Sequence, residues 1–203
     1  MKILLLSTYE LGRQPIHLAS PLAALAAAGH QAKGVDLAVE ELDQALVAWA
    51  DAAAISVPMH TATRLAIGLV EDLKRLRPDL PVALYGLYAG VAEDSGADAL
   101  FAGEYEPALM AWVHTLASGG ATPTVVTFTG RSQFAVPRRD GLAALDQYAR
   151  LEHGGETRLA AAVEASHGCR HRCRHCPIPP LYDGRMRIVP KNVVLADIDQ
   201  LVA

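Results

Sequence analysis

The fold class is decided by the stretch Ala53–Val57, which reads AAISV, and by the helical pattern that follows it from Thr61 to about Arg77. The first is a short apolar run, typical of a strand that is buried on both faces. The second predicts one apolar helix face, because leucines recur at i, i+4, i+8 and i+11. These are Leu65, Leu69, Leu73 and Leu76. A strand followed by a helix is the repeating unit of an α/β fold.

The same alternation recurs on both sides of this stretch. Further strands are predicted at Lys2–Ser7, Gln31–Leu37, Pro81–Leu87 and Asp98–Ala102. Further helices are predicted at Ser20–Ala28, Glu41–Trp49 and Glu106–Leu116. The pattern predicts a doubly wound, flavodoxin-like α/β domain with a five-stranded parallel sheet over residues 1–117. Such a sheet binds ligands beyond the carboxyl ends of its strands.

The rest of the chain differs in character. Residues 118–157 are predicted to be an interdomain linker, in which Val125–Thr129 forms a lone strand. The tripeptide Gly154-Gly155-Glu156 is predicted to be a turn. A second domain is predicted over residues 158–203. It contains one predicted strand and one predicted helix, Leu159–Ala165 and Val193–Val202.

Composition limits the classes of function. Of the 203 residues 51% are hydrophobic and 20% are charged, which is typical of a globular protein and not of a disordered one. The net charge of −4 gives no indication of a nucleic-acid or membrane partner.

The apolar stretches, of which Leu18–Ala28 is among the longest, are too short to cross a bilayer. Glu10 and Arg13 interrupt the apolar start before the core of a signal peptide is complete, so a cytoplasmic protein is predicted.

The three cysteines carry the chemistry. Cys169, Cys173 and Cys176 have the spacing C-x3-C-x2-C and lie within eight residues. An odd, tightly clustered set argues against a disulfide framework and favours metal or redox chemistry. Three thiolates this close on one loop can bind one face of a [4Fe–4S] cluster and leave the fourth iron open. The intervening residues include three arginines that would compensate the charge of a cluster, Arg170, Arg172 and Arg174.

A zinc site is the alternative interpretation of the same segment. His167, His171 or His175 can join two or three of the cysteines as ligands in a tetrahedral site. Structural zinc sites usually take ligand pairs from two separated knuckles, and the sequence has no second Cys/His pair at a suitable distance. This alternative predicts a non-enzymatic α/β binding module with a zinc-binding C-terminal segment.

The cysteine spacing, placed after a strand, resembles the signature of the radical S-adenosylmethionine (SAM) superfamily. The resemblance implies the first βα unit of a partial (β/α)6 barrel, a [4Fe–4S] cluster, bound SAM and a 5′-deoxyadenosyl radical. It also implies a flavodoxin- or ferredoxin-type reductant and a small-molecule or peptide substrate. Tyr182–Arg185 is similar to a subgroup that has a CUAEP or CCAEP tail. The sequence departs from the family at His175, where a carbocyclic aromatic residue is usual, and at Gly154–Glu156, because the family's GGE motif follows the cysteines.

Residues 1–117 resemble the cobalamin-binding domain that precedes some radical SAM barrels. Ile55–Val57 is similar to that family's third strand, Tyr85–Ala89 lies where it carries a GGPH turn, and Gly103–Glu106 is similar to its GEGE segment. The resemblance implies three candidate cobalamin contacts, Ser56, Gly86 and Gly103. The family's D-x-H-x-x-G motif is incomplete around His17. Without its Asp, we expect no group to orient that imidazole.

The second domain is short for a barrel. Six βα units of about 30 residues each are needed, and about 45 residues follow Arg158. The resemblance therefore implies a fragment that holds one unit and has little turnover of its own. It favours a radical SAM enzyme whose reaction is either cobalamin-dependent methyl transfer or the modification of a peptide or small molecule.

Overall fold

The structure is a computed structural model that describes residues 1–120, 125–130 and 133–203. Its central strands are β1 (Lys2–Ser7), β2 (Gln31–Asp36), β3 (Ala52–Ser56), β4 (Val82–Tyr85), β5 (Ala99–Gly103) and β6 (Val125–Phe128). Its helices are α1 (Ile16–Ala27), α2 (Gln44–Trp49), α3 (His60–Leu76), α4 (Glu106–Ala117), α5 (Ile178–Tyr182) and α6 (Lys191–Val202). The six strands form a parallel sheet in the order β2-β1-β3-β4-β5-β6. This order confirms a doubly wound α/β fold that is flavodoxin-like in its general kind.

Two apolar layers cover the faces of the sheet, because successive side chains of β1 point to opposite faces. Ile3 and Leu5 pack with α1 and α4, where Trp112 is fully buried. Leu4 and Leu6 pack on the other face with α2 and α3. A strand that is buried on both faces is an unbroken apolar run in the sequence. For this reason the sequence predicts β1 and β3 close to their observed bounds.

The prediction of a five-stranded sheet is wrong, because β6 adds a sixth strand at one edge. It pairs in parallel with β5, so that Leu100 lies opposite Val125 and Gly103 lies opposite Phe128. Val126 packs against the apolar layer formed with α1 and α4. The sequence indicates a strand at this place. Its pairing has no local signal, since parallel neighbours need a long crossover connection.

The buried face of α3 also differs from the predicted one. Leu65 and Leu76 are 50% and 47% exposed. The buried positions are Ala62, Thr63, Ala66, Val70 and Leu73. Alanine is often fully buried in spite of its small apolar surface, so a count of leucines identifies the helix but misplaces the face that contacts the sheet.

Two antiparallel strand pairs lie in the C-terminal third of the chain. They are β7 (Arg150–His153) with β8 (Glu156–Leu159), and β9 (Ser166–Gly168) with β10 (Met186–Ile188). Gly154 and Gly155 both have positive φ angles where β7 turns into β8, which confirms the predicted turn. The predicted strand Leu159–Ala165 is wrong beyond its first residue, because residues 160–165 pair with no described strand. The predicted C-terminal helix is confirmed by α6.

Helix length bears on insertion into membranes. With 17 residues α3 is the longest of the described helices, below the length of about 20 residues that a transmembrane helix needs. Within the described ranges, every helix falls short of the combined length and apolar character that a membrane span requires.

Candidate functional site

A cleft of about 240 Å³ lies at the carboxyl ends of the strands, between the sheet and the C-terminal segment. The sheet side contributes His17, Pro58, Leu87, Gly103 and Tyr105. The C-terminal side contributes Glu164, Ser166, His167, Gly168, Ile178 and Tyr182. Doubly wound sheets bind their ligands at this edge, so the cleft is the candidate site.

His17, in the first turn of α1, is oriented by Glu10, which follows β1. The imidazole Nδ1 lies 2.6 Å from Glu10 Oε1, and its Nε2 lies 3.9 Å from Glu164 Oε1. Burial alone would lower the pKa of His17, but the Glu10 charge and hydrogen bond, together with the Glu164 charge, raise it to about 9. The ring is therefore protonated at neutral pH. The expectation that no group orients this imidazole is wrong, because Glu10 does so from outside the motif spacing.

Two tyrosines pack beside His17. Tyr85, the last residue of β4, donates its hydroxyl to the backbone carbonyl of His17 at 2.6 Å. The Tyr85 ring centroid lies 4.7 Å from that of Tyr105, which lies 6.2 Å from the imidazole centroid. Burial and the nearby carboxylates raise the pKa of both phenols above their usual range. Both hydroxyls are therefore neutral, and the Tyr85 hydroxyl positions the His17 backbone at the sheet edge.

His167, in β9, contacts a carboxylate through each ring nitrogen. Its Nδ1 lies 3.0 Å from Glu104 Oε2, and its Nε2 lies 3.1 Å from Glu164 Oε2. Burial opposes the charged form, but the hydrogen bonds and charges of the two carboxylates raise the pKa of His167 to about 10. The Phe134 ring meets the imidazole edge-on, with the centroids 5.0 Å apart. Glu164 therefore lies between two imidazolium groups and connects the two sides of the cleft through His17 and His167.

The cysteine loop joins β9 to α5 at the border of the cleft. Gly168 and Ile178, which flank this loop, both line the cleft. All three thiols are free: Cys173 is exposed, whereas Cys169 and Cys176 are half-buried. The backbone N–H of Cys176 donates to the carbonyl of Cys173 at 3.2 Å, which closes a tight turn between the last two cysteines.

The loop supplies the right donor chemistry for an iron–sulfur cluster, but its ligands are not assembled. In the described parts of the chain, no three His, Cys, Asp or Glu side chains converge closely enough to hold a metal ion. The zinc ligand sets predicted from the sequence are therefore not assembled either. The backbone N–H of His171 donates a hydrogen bond to Cys169 Sγ at 3.4 Å.

The three candidate cobalamin contacts lie at the carboxyl ends of β3, β4 and β5. Ser56 is buried, and its hydroxyl has no hydrogen-bond partner among the described residues. Gly86 and Gly103 have φ angles of +117° and +86°, in the region that favours glycine. A side chain would meet the Val57 backbone in the first case and the Phe128 carbonyl in the second. The protein's own backbone therefore accounts for both glycines, and of the three residues Gly103 lines the cleft.

Sequence reasoning misses most of the charged groups in the cleft. Glu104 directly follows β5 and Glu10 lies three residues after β1, and acidic residues at the carboxyl ends of parallel strands converge on one edge of a sheet. This position after a strand could have identified both Glu10 and Glu104 from the sequence. Glu164 belongs to no motif and lies in a segment wrongly predicted to be a strand. His167 enters the sequence interpretation only as a zinc ligand, although its ring binds carboxylates.

Known proteins add no further constraint. Comparison of the chain with protein-family models, with curated proteins and with solved structures finds no match in any of the three. The functional assignment therefore depends on the cysteine loop and on the cleft beside it.

Proposed function

We propose that this chain functions as part of a radical SAM enzyme in which Cys169, Cys173 and Cys176 bind a [4Fe–4S] cluster. One observation carries the proposal: the residues on both sides of the cysteine loop, Gly168 and Ile178, line the cleft at the carboxyl edge of the sheet. Three free thiols with the spacing C-x3-C-x2-C are thereby placed next to the edge at which such sheets bind ligands. Three thiolates leave one iron of a cluster open for a ligand.

The chemistry of the proposed reaction belongs to the cofactors. When bound, such a cluster supplies one electron to the sulfonium of SAM, whose carbon–sulfur bond breaks to give methionine and a 5′-deoxyadenosyl radical. The chain's own residues bind the cluster, offset the charge of its ligands and orient the loop that holds it. The exposed guanidinium groups of Arg170 and Arg174 offset part of the negative charge of three thiolates, whereas Arg172 pairs with the Asp183 carboxylate at 3.1 Å. The pairing of β9 with β10 fixes the end of the strand from which the loop begins.

The charge of the loop indicates the kind of electron donor. Between Cys169 and Tyr182 there are three arginines, two histidines and no acidic residue. An acidic carrier of the flavodoxin or ferredoxin type therefore meets a complementary surface around the exposed Cys173. The substrate is proposed to be a small molecule or a peptide, since it has to approach the same cleft.

Cobalamin does not fit the cleft in this conformation. The cleft of about 240 Å³ is smaller than the about 300–1,000 Å³ of pockets for drug-sized ligands, and a corrinoid is larger than those ligands. The C-terminal segment would have to move away from the sheet to admit it. The buried Ser56 hydroxyl, which lacks a partner among the described residues, is the feature that favours a ligand at this edge.

Metal uptake by the full chain tests the proposal. After anaerobic incubation with iron and sulfide, in the presence of an equal concentration of zinc, we expect about four iron atoms per chain. Cys176→Ser should abolish this uptake. His171→Ala is the matched control in the same loop, and it should retain the iron because the imidazole is not a cluster ligand. A chain that binds one zinc and no iron, and loses it in His171→Ala, would contradict the proposal and support the zinc-binding module.

A further inference from the structure

Glu104 binds both ends of the segment that contains the cysteines. Its side chain is 0% exposed, and the residue directly follows β5. Oε1 accepts a hydrogen bond from the Tyr182 hydroxyl at 3.1 Å, and Oε2 lies 3.0 Å from His167 Nδ1. His167 precedes the first cysteine by two residues, and Tyr182 follows the last by six. The buried Glu104 carboxylate therefore connects His167, before the loop, to Tyr182, after it.

Two further contacts close the base of the loop at the same place. Gly168 lies opposite Met186, and His167 lies opposite Arg187, in the β9–β10 pair. The Tyr182 ring stands directly over Gly168, since a Cβ added to this glycine would come within 2.7 Å of Tyr182 Cδ1. Tyr182 thus covers the residue before Cys169 while its hydroxyl donates to Glu104.

Glu104 is itself fixed to the rigid part of the fold. Its backbone N–H donates to the Phe128 carbonyl at 2.8 Å, which extends the pairing of β5 with β6. Gly103, immediately before it, has no room for a side chain against that carbonyl. The backbone of Glu104 is therefore fixed by the edge of the central sheet.

From these contacts we infer that Glu104 is a positioning residue: it holds the cysteine loop in a fixed place relative to the cleft. The inference rests on the proposed function, because it assigns the loop the task of presenting a cluster to that cleft. A buried carboxylate that accepts two hydrogen bonds is suited to this task, since hydrogen bonds to a charged group are about twice as strong as neutral ones. Removing it leaves His167 and Tyr182 without their shared acceptor.

Glu106 provides a matched control. It lies two residues further along, at the start of α4, and its Oε1 accepts a hydrogen bond from the Ser20 hydroxyl at 2.9 Å. This contact joins α4 to α1 and does not involve the cysteine segment. Glu104→Ala and Glu106→Ala each remove one carboxylate from the same edge, but the hydrogen bonds to His167 and Tyr182 belong to Glu104. Tyr182→Phe is a milder variant that keeps the ring over Gly168 and removes one hydrogen bond.

The first measurement uses hydrogen exchange of the iron-free full chain. In Glu104→Ala we expect amide exchange in β9 and β10 to accelerate about tenfold or more. This factor corresponds to the loss of one hydrogen bond to a charged group. Tyr182→Phe should give a smaller acceleration in the same strands. Exchange there should stay unchanged in Glu106→Ala. Equal effects of the Glu104 and Glu106 variants would overturn the inference, as would an acceleration in Glu104→Ala that is uniform along the chain.

The second measurement uses the iron-loaded protein and a property that simple destabilisation would not change. Tyr182→Phe at an unchanged melting temperature should alter the g-values of the reduced cluster and accelerate iron loss to a chelator, whereas Glu106→Ala should leave the g-values unchanged. Identical spectra in the wild type and both loop variants would overturn the inference. A wild-type chain that binds no iron would overturn the proposed function instead, and the exchange experiment would still decide whether Glu104 fixes the segment.

Discussion

Arg139 and Asp197 form a buried two-point ion pair that joins the middle of the chain to its last helix. Arg139 Nε lies 2.6 Å from Asp197 Oδ1, and its Nη2 lies 2.8 Å from Oδ2. The two side chains are only 5% and 3% exposed. The same guanidinium donates to the Gln14 side chain and to the Ala162 carbonyl, each at 2.9 Å. It therefore holds together the loop after β1, the segment before β9 and α6.

The first prediction concerns this ion pair. Arg139→Ala should lower the free energy of unfolding by about 3–5 kcal/mol, because it leaves the Asp197 carboxylate buried without its partner. The measurement is urea denaturation of the full chain. Arg138→Ala is the control, since Arg138 pairs with Asp140 at the surface, where such pairs contribute about 0–1 kcal/mol. Equal losses in the two variants would show that the buried pair is not what fixes α6.

The second prediction concerns the pH dependence that His17 confers. Its folded-state pKa of about 9 lies above the ordinary value of 6.5, so folding favours the protonated ring. The stabilisation by Glu10 is therefore fully present below pH 6.5 and is lost as the pH rises through about 9. Glu10→Gln should consequently reduce the free energy of unfolding more at pH 6 than at pH 10.

Proton NMR of the His17 ring provides the direct check. The wild-type imidazole should titrate well above 6.5, and Glu10→Gln should lower its pKa, because the first carboxylate partner is removed while the weaker contact with Glu164 remains. A wild-type ring that titrates at or below 6.5 would show that burial outweighs the two carboxylates.

The third prediction separates two costs of replacing a glycine. Gly29 has a φ of +77°, and a Cβ added there would meet no atom within 4 Å. Gly29→Ala should therefore cost only the left-handed backbone conformation, about 1–2 kcal/mol. Gly103→Ala adds an overlap with the Phe128 carbonyl. Overpacking of this kind costs about 1–3 kcal/mol in addition to the backbone term.

Thermal and urea unfolding of the two glycine variants check this difference. Gly103→Ala should also accelerate exchange of the Glu104 amide, because that N–H donates to the Phe128 carbonyl which the new side chain would displace. If Gly103→Ala proves no more destabilising than Gly29→Ala, the close approach of β5 and β6 is not required by the fold.

Much of the sheet could be predicted from the sequence, because a strand buried on both faces is an unbroken apolar run. The pattern at Lys2–Ser7 gives β1 with its observed bounds. The burial of α3 could not be predicted in the same way, since the contacts depend on small residues such as Ala62 and Ala66 rather than on its leucines. The pairing of Val125–Phe128 with β5 depends on residues about 25 positions away and has no local pattern.

The candidate site is less accessible to sequence analysis than the sheet. The cysteine spacing is local, so the thiols could be found by inspection. Glu10 and Glu164 lie within seven residues of the histidines to which they are hydrogen-bonded, but the fold alone brings Glu104 to His167, 63 residues away in the chain. Such pairs leave no spacing to detect. The apolar run Leu159–Ala165 illustrates the converse error, because apolar residues form a strand only where a neighbouring strand is available to pair with them.

The central claim is that the three cysteines hold a cluster that binds SAM, and one spectrum tests it most directly. The full chain would be reconstituted with iron and sulfide under anaerobic conditions, reduced with dithionite, and examined by EPR with and without SAM, beside Cys173→Ala. We predict a [4Fe–4S]⁺ signal that SAM perturbs and that the variant lacks. A signal that is unchanged by SAM, or that survives in Cys173→Ala, would contradict the claim.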